Sequence, residues 1–194
     1  TGTTTDPQLY KHEAELLKLL RKRIHSGAEY SLHSNGVLAL RKIELFNQYD
    51  KACISFPSFI PETYEKLMGS RQIPDLASIV RHSRIPIKVS CIINDHNAAE
   101  INQFLSKCHA IGIKRIVLRR LVGDSTDRNP FHDATPRFFY KANPVYDVHG
   151  IEVTYWHFDS STNTSINLFA NGTLGTSYLL TETREFRSVT PQST

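Results

Sequence analysis

Apolar residues in the first 124 positions fall into two alternating patterns, steps of three and four and short continuous runs. Leu9, Leu16, Leu17, Leu20 and Ile24 stand at helical spacing, with Lys11, Glu15, Lys18 and Lys22 between them, so a helix is predicted here. Asp6 suits its N-cap and Pro7 its first position, because the N–H that proline lacks has no intrahelical partner there. Gly27 can end it. Tyr30 to Ser34 predicts a strand turning at Asn35-Gly36, and Val37, Leu40, Ile43, Leu45 and Phe46 predict a second helix. Ala52 to Phe56 is a strand stopped by Pro57, Pro61 to Met68 a helix ended by Gly69, and Pro74 to His82 a further helix. Pro86 to Asn94 is apolar enough to be covered on both faces, as strands of parallel sheets are. Asn97 is expected to cap the next helix, in which Ile101, Phe104, Leu105, Cys108 and Ile111 hold one face. Ile113 to Val122 is again a strand, with Lys114, Arg115, Arg119 and Arg120 set among apolar residues.

Strands starting near residues 30, 51, 87 and 113 thus alternate with helices read as long enough for right-handed parallel crossovers. The expected fold class is α/β, a partial TIM-like (β/α) barrel with a parallel sheet over residues 1–124. Residues 124–136 read as a polar loop. Short alternating runs near 144–148, 151–158, 164–169 and 173–181, separated by His149-Gly150, Ser160 to Asn163 and Asn171-Gly172, then predict an antiparallel β meander. Residues 125–194 are expected to form this β-rich extension, with a disordered tail from Glu185. The meander's aromatics Tyr146, Tyr155, Trp156, Phe158, Phe169 and Tyr178 are read as packing residues.

Composition narrows the class of protein. The 194 residues are 40% hydrophobic and 22% charged, ordinary for a globular domain. No apolar run approaches the roughly 18 residues of a membrane span. The start of the chain lacks the pattern of a secretory leader, and a soluble, cytoplasmic protein is expected. Cys53, Cys91 and Cys108 are odd in number and widely spaced, against a disulfide framework and without the spacing of a metal motif. Cys108 reads as a core residue. The nine histidines contain no HxH, HxxxH or HExxH pair, so no zinc site is suggested. Residues 1–124 carry 18 Lys and Arg against 12 Asp and Glu, a net of +6, and residues 125–194 carry 5 against 7, a net of −2. The basic half suits an anionic substrate, cofactor or nucleic acid; solvated helix faces account for the same charge.

Ligands of parallel βα folds bind at the C-terminal ends of the strands. The residues at those ends are Thr1 to Asp6, Ser34-Asn35-Gly36, Ser55 with Pro57-Ser58, Asn94-Asp95, and Arg119 to Asp124. They are mostly small, polar or charged, and such residues also serve as turns and caps. His33, beside the second group, is a further candidate for chemistry.

Five of these pieces, in order, resemble the core of a radical S-adenosylmethionine (radical SAM) enzyme. They are Thr1 to Pro7 before a helix, Ser34-Asn35-Gly36, Ile54-Ser55-Phe56 with Tyr64 to Gly69, Ile87 to Asn94, and Gly112-Ile113. The resemblance covers roughly residues 1–124. It implies a partial (β/α) barrel, SAM, and a 4Fe–4S cluster held by a CxxxCxxC loop. It also implies reductive cleavage of SAM to a 5′-deoxyadenosyl radical that abstracts hydrogen from a substrate, with a flavodoxin or ferredoxin as reductant. Asp6-Pro7 stands for the Glu-Pro of the family's Gly-Gly-Glu-Pro turn, which holds the SAM amino group, with Thr4 and Thr5 in place of its glycines. Asn35 joins the cofactor-facing residues. Ser55 would bond the SAM ribose, Ser90 and Asn94 would face the cofactor, and Arg119 or Arg120 would meet the SAM carboxylate. The chain contains no CxxxCxxC, so cluster ligands are expected upstream of Thr1, and residues 1–194 alone are expected to be inactive. The alternatives are a cluster-less, non-catalytic module binding nucleotide or RNA, and a TIM-like lyase or aldolase. Small molecule, peptide and RNA all stand as substrates.

Overall fold

The structure is a computed structural model that describes residues 6–121, 124, 126–157, 167–168 and 174–175. Four strands, β1 (Ser31–Ser34), β2 (Lys51–Ser55), β3 (Ile87–Ile93) and β4 (Arg115–Arg120), lie parallel in chain order. Three more, β5 (Phe138–Tyr140), β6 (Asn143–Val148) and β7 (Ile151–Trp156), complete a seven-stranded sheet of order β1-β2-β3-β4-β7-β6-β5. The meander therefore continues the parallel sheet: β7 runs parallel beside β4, and β6 and β5 are its antiparallel end.

Register separates the two faces. Leu32, Ala52 and Ile54, Val89 and Cys91, Ile116 and Leu118, and Val153 and Tyr155 occupy matched positions on one side. There they form a single core with residues of α2 (Ile43–Phe46), α3 (Pro61–Met68), α4 (Leu76–His82) and α5 (Ile101–Ala110). Phe46, Tyr64, Ile79, Phe104 and Cys108 are among its buried helical members, each aliphatic or aromatic side chain stabilising the fold by roughly 1.5–3 kcal/mol. The alternate residues, among them His33, Cys53, Lys88, Ser90, Val117 and Thr154, lie on the opposite face and outside this core. Successive side chains of a strand point to opposite sides, so burying the first set fixes the second.

Several expectations need correction. The first helix is split: Pro7–Leu9 is a 3-10 turn capped by Asp6, and α1 (Glu13–Arg23) begins after Tyr10 turns extended. Leu17 is buried, but Leu9, Leu16, Leu19 and Ile24 are exposed, because α1 docks through Glu13 and Leu17 and leaves most of the leucine stripe at the surface. The second helix shrinks to Ile43–Phe46, preceded by turns bonded Ala39 N–H to Gly36 O and Lys42 N–H to Leu38 O. This crossover is thus mostly turns. β4 ends at Arg120, and Leu121 is exposed. β5 lies beyond the polar loop, where no strand is predicted. Tyr146 and Tyr155 pack in the core as expected. Of the last two runs only Asn167–Leu168 and Leu174–Gly175 are described, paired antiparallel. Phe158, Phe169, Tyr178 and the tail from Glu185 lie outside the described residues. Among the described residues no helix is long and apolar enough to cross a membrane.

Asn97 does not cap a helix with its side chain. It is 1% exposed. Its amide donates to Pro57 O at 3.1 Å and Ile92 O at 2.8 Å, and its Oδ1 accepts from Asn94 N–H at 2.9 Å. It locks the end of β3 to the loop after β2. Asn97→Ala leaves these backbone groups without partners, a loss of about 3 kcal/mol, read as a lower urea midpoint at unchanged slope.

Candidate functional site

The rim of the parallel strands is assembled by side chains that bond to backbone. Asp6 accepts at Oδ1 from Gln8 N–H (2.9 Å) and at Oδ2 from the Ser34 hydroxyl (2.9 Å) and Asn35 N–H (2.7 Å). One carboxylate thus both caps the first turn and stitches it to the end of β1. The Ser34 hydroxyl also accepts from Gly36 N–H at 2.9 Å. Gly36 sits at φ +80°, where an added Cβ would meet the Ile54 side chain at 3.1 Å, so this turn requires glycine. Behind it Glu13, 4% exposed, accepts from Lys42 Nζ at 2.8 Å and Tyr49 OH at 3.0 Å.

The other rim candidates divide by partner. Asn35 Oδ1 accepts from Val37 N–H and Asn94 Oδ1 from His96 N–H, so both amides close local turns. Ser58 and Thr63 donate to the two oxygens of Glu100 at 2.6 and 2.5 Å. Arg120 lies on the helix-covered side and donates to Asp124 O at 2.7 Å. Arg119 lies on the opposite face, in register with Ile92 and Trp156. Thr4 and Thr5 lie outside the described residues.

Sequence reasoning missed the loop after β4. Arg128, with its side chain 11% exposed, pairs with Asp95 and Asp124. Tyr155 OH accepts from Arg128 N–H and donates to Asp127, and Asn129 donates to Tyr146 OH. Residues 124 and 126–129 are thereby fastened over the ends of β3 and β7. A run of Asp and Asn carries little signal for such long-range partners.

The face opposite the core packed by α2, α3, α4 and α5 holds the chemistry. Ser55 and Ser90 are register partners, Ser55 exposed and Ser90 buried, and the row continues through Val117 and Thr154. The row below it, toward the start of the strands, is His33, Cys53, Lys88, Arg115 and Glu152. Arg115 pairs with Glu152 at 2.9 Å, and Lys51 pairs with Glu29. Burial, then the nearby charges of Lys88, Arg119 and Lys51, lowers the His33 pKa to about 4. Burial, then Arg119, Arg115 and Lys51, lowers that of Lys88. Burial raises the Cys53 thiol, with Lys88 and Arg119 opposing. A shallow depression lined by Phe59, Ile60, Glu100, Phe104 and Lys107 lies on the helical side, away from these rows.

The cysteines do not fit an iron–sulfur cluster. Cys53 lies on the face opposite the core, while Cys91 and Cys108 sit in the core. All are free and buried, and burial pushes up the thiols of Cys91 and Cys108, the latter to about 12. A thiol must lose its proton to ligate. Among the described residues no His, Cys, Asp and Glu group could hold a metal ion.

His33 is neutral near pH 7. Its folded pKa lies below the unfolded value of about 6.5, so the unfolded chain takes up the proton first. Its contribution to stability is present above that value and is lost as pH falls toward about 4. NMR of the His33 ring is expected to give a midpoint near 4, and Lys88→Met to raise it.

Compared with protein-family models and with curated proteins, the chain has no match in either, and the site rests on its own geometry.

Proposed function

We propose that this chain supplies part of the barrel wall of a radical SAM enzyme, with the face opposite the α2–α5 core turned toward SAM and substrate. The observation that supports this reading is the one-sided parallel sheet. Helices cover one face, hydroxyls and cations occupy the other, and ordered polar loops stand at the strand ends, as in the wall of a (β/α) barrel.

The residues present suit SAM better than they suit a cluster. The Ser55 hydroxyl, beside Ser90, is placed for a ribose, and the Arg119 guanidinium for the methionyl carboxylate. Asp6 uses three of the roughly four lone-pair positions of a carboxylate, which leaves one for the amino group. Asn35 and Asn94 act by shaping the loops. SAM, when bound, supplies the group that abstracts hydrogen. The cluster that reduces it would need ligands from outside residues 1–194, and no step is assigned to the cysteines here.

A second reading, a cluster-less binding module, is favoured by the separation of the three cysteines onto opposite faces. Calorimetric titration of the chain with SAM tests the first. Binding is expected, weakened about tenfold by Ser55→Ala, the loss of one hydrogen bond to a bound group. Absence of saturable SAM binding by the folded chain would exclude this face as the cofactor site. Binding by a complete protein that holds no iron after anaerobic reconstitution, and cleaves no SAM, would leave the binding module.

A further inference from the structure

We propose that two copies of the chain associate through α1, the two helices antiparallel, with Leu16 and Leu19 of each at the interface and Glu15 of one copy opposite Arg23 of the other. The contact is independent of the SAM reading and uses none of the residues assigned to it.

An apolar stripe on α1 is left at the surface. The helix docks on its own chain through Glu13 and Leu17. At about 100° per residue, Leu16 lies roughly 100° around the helix from Leu17 and Leu19 roughly 160°, so neither shares that docking side. Leu16 is 43% exposed and Leu19 51%. Ile24 at the C-cap, and Leu9 and Tyr10 ahead of the helix, are exposed as well. Single exposed leucines are ordinary, but several on one element mark a contact surface.

Charge then selects the occupant. The first turn of α1 carries Glu13 and Glu15, and the last carries Arg21, Lys22 and Arg23. Glu13 is taken by Lys42 and Arg21 by Asp50. The Glu15 side chain, which meets His12 through Oε2 at 2.7 Å, is 75% exposed. Lys22 and Arg23 are exposed, and among the described residues neither has an ion-pair partner. A helix with free charges of opposite sign at its two ends is complementary to itself run antiparallel, as a two-fold contact requires. With Leu19 on the axis, Glu15 of one copy falls opposite Arg23 of the other. Leu16 falls opposite Lys22, whose methylenes cover it, and the helix dipoles oppose. A partner or lipid surface of one charge sign would instead face a like charge at one end of α1. The aromatic edge strand β5 lacks this self-complementarity. Its exposed Phe138, Phe139 and Tyr140 lie between Arg137 and Lys141, so two antiparallel copies would set cation against cation. Because α1 is only about 16 Å long, the contact falls short of the roughly 800 Å² per partner of a standard interface. The dimer is therefore expected to be weak, with a Kd of about 10 μM to 1 mM.

The test is sedimentation equilibrium of the 194-residue chain across that range, with amide NMR followed against concentration. A monomer and dimer in equilibrium are expected, with concentration-dependent shifts at Leu16, Leu19 and their neighbours on α1. Leu19→Glu should raise the dimer Kd about tenfold or more, while Phe139→Glu on β5 leaves it unchanged. Arg23→Glu and Glu15→Arg should each weaken the dimer about tenfold. An equimolar mixture of those two variants should restore it, since every opposing pair is then one acid and one base. Should Leu19→Glu fail to fold, the charge reversals at exposed positions carry the test alone. A monomer at every concentration, a dimer indifferent to Leu19→Glu and to both charge reversals, loss on Phe139→Glu, or failure of the mixture to restore association would overturn the proposal. So would a monomer that binds vesicles of phosphatidylserine and phosphatidylcholine through α1, which would give the stripe to a lipid surface.

Discussion

Burial of one face of the parallel sheet is the constraint on which the rest of the structure depends. Leu32, Ile54, Val89, Ile116 and Val153 meet the helices in a single core. Parallel pairing keeps their neighbours level from strand to strand. Because a strand alternates sides at every residue, His33, Cys53, Lys88 and Arg115 have no choice but to form a row on the other face. A shift of one residue in any of these strands would drive a polar side chain into the core and an aliphatic one out of it. The polar row is therefore as well determined as the core, although few contacts within it hold it in place.

The rim is fixed differently, by buried or half-buried polar side chains that satisfy loop backbone. Asp6 ties the first turn to the end of β1, Asn97 ties the end of β3 to the loop after β2, and Arg128 ties the loop after β4 to Asp95. Each replaces water at backbone or charged groups that a loop would otherwise leave exposed or unpaired. Together they give the strand ends a defined shape, which a binding site requires more than it requires stability.

The four parallel strands were legible because short apolar runs bounded by Pro, Gly and Asn have few alternatives. The cap at Asp6 was legible for a similar reason, since its first partner, Gln8, is two residues away. Other features depend on partners distant in sequence. Asn97 stands where a cap would, and only the fold shows that its amide reaches Pro57 and Ile92. The leucine spacing of α1 is regular, yet docking through Glu13 and Leu17 leaves much of it exposed. The meander was visible as alternation, but its attachment beside β4, with β7 parallel to it, is a pairing that no local pattern specifies. Of the candidate site, adjacency of Ser55 and Ser90 follows from register, whereas the division of Arg119 and Arg120 between opposite faces needed the exact end of β4. The level of His33, Cys53 and Lys88 needed three strands at once.

Energetics gives the polar row its meaning. A half-buried ammonium beside other cations is less stable than an apolar residue of similar length would be there, because it loses hydration and, among the described residues, gains no carboxylate. Lys51 and Arg115 on the neighbouring strands have such partners; burial, then the charges of Arg119, Arg115 and Lys51, disfavours the Lys88 ammonium. A sequence serving stability alone would put a methionine or a valine in this place, as Val117 does one strand away. Local departures from what the fold prefers concentrate where a protein meets its ligand, and here the departure has a sign. It falls on a positive side chain above a floor of thiol and hydroxyl, on the face opposite the core that α2, α3, α4 and α5 pack.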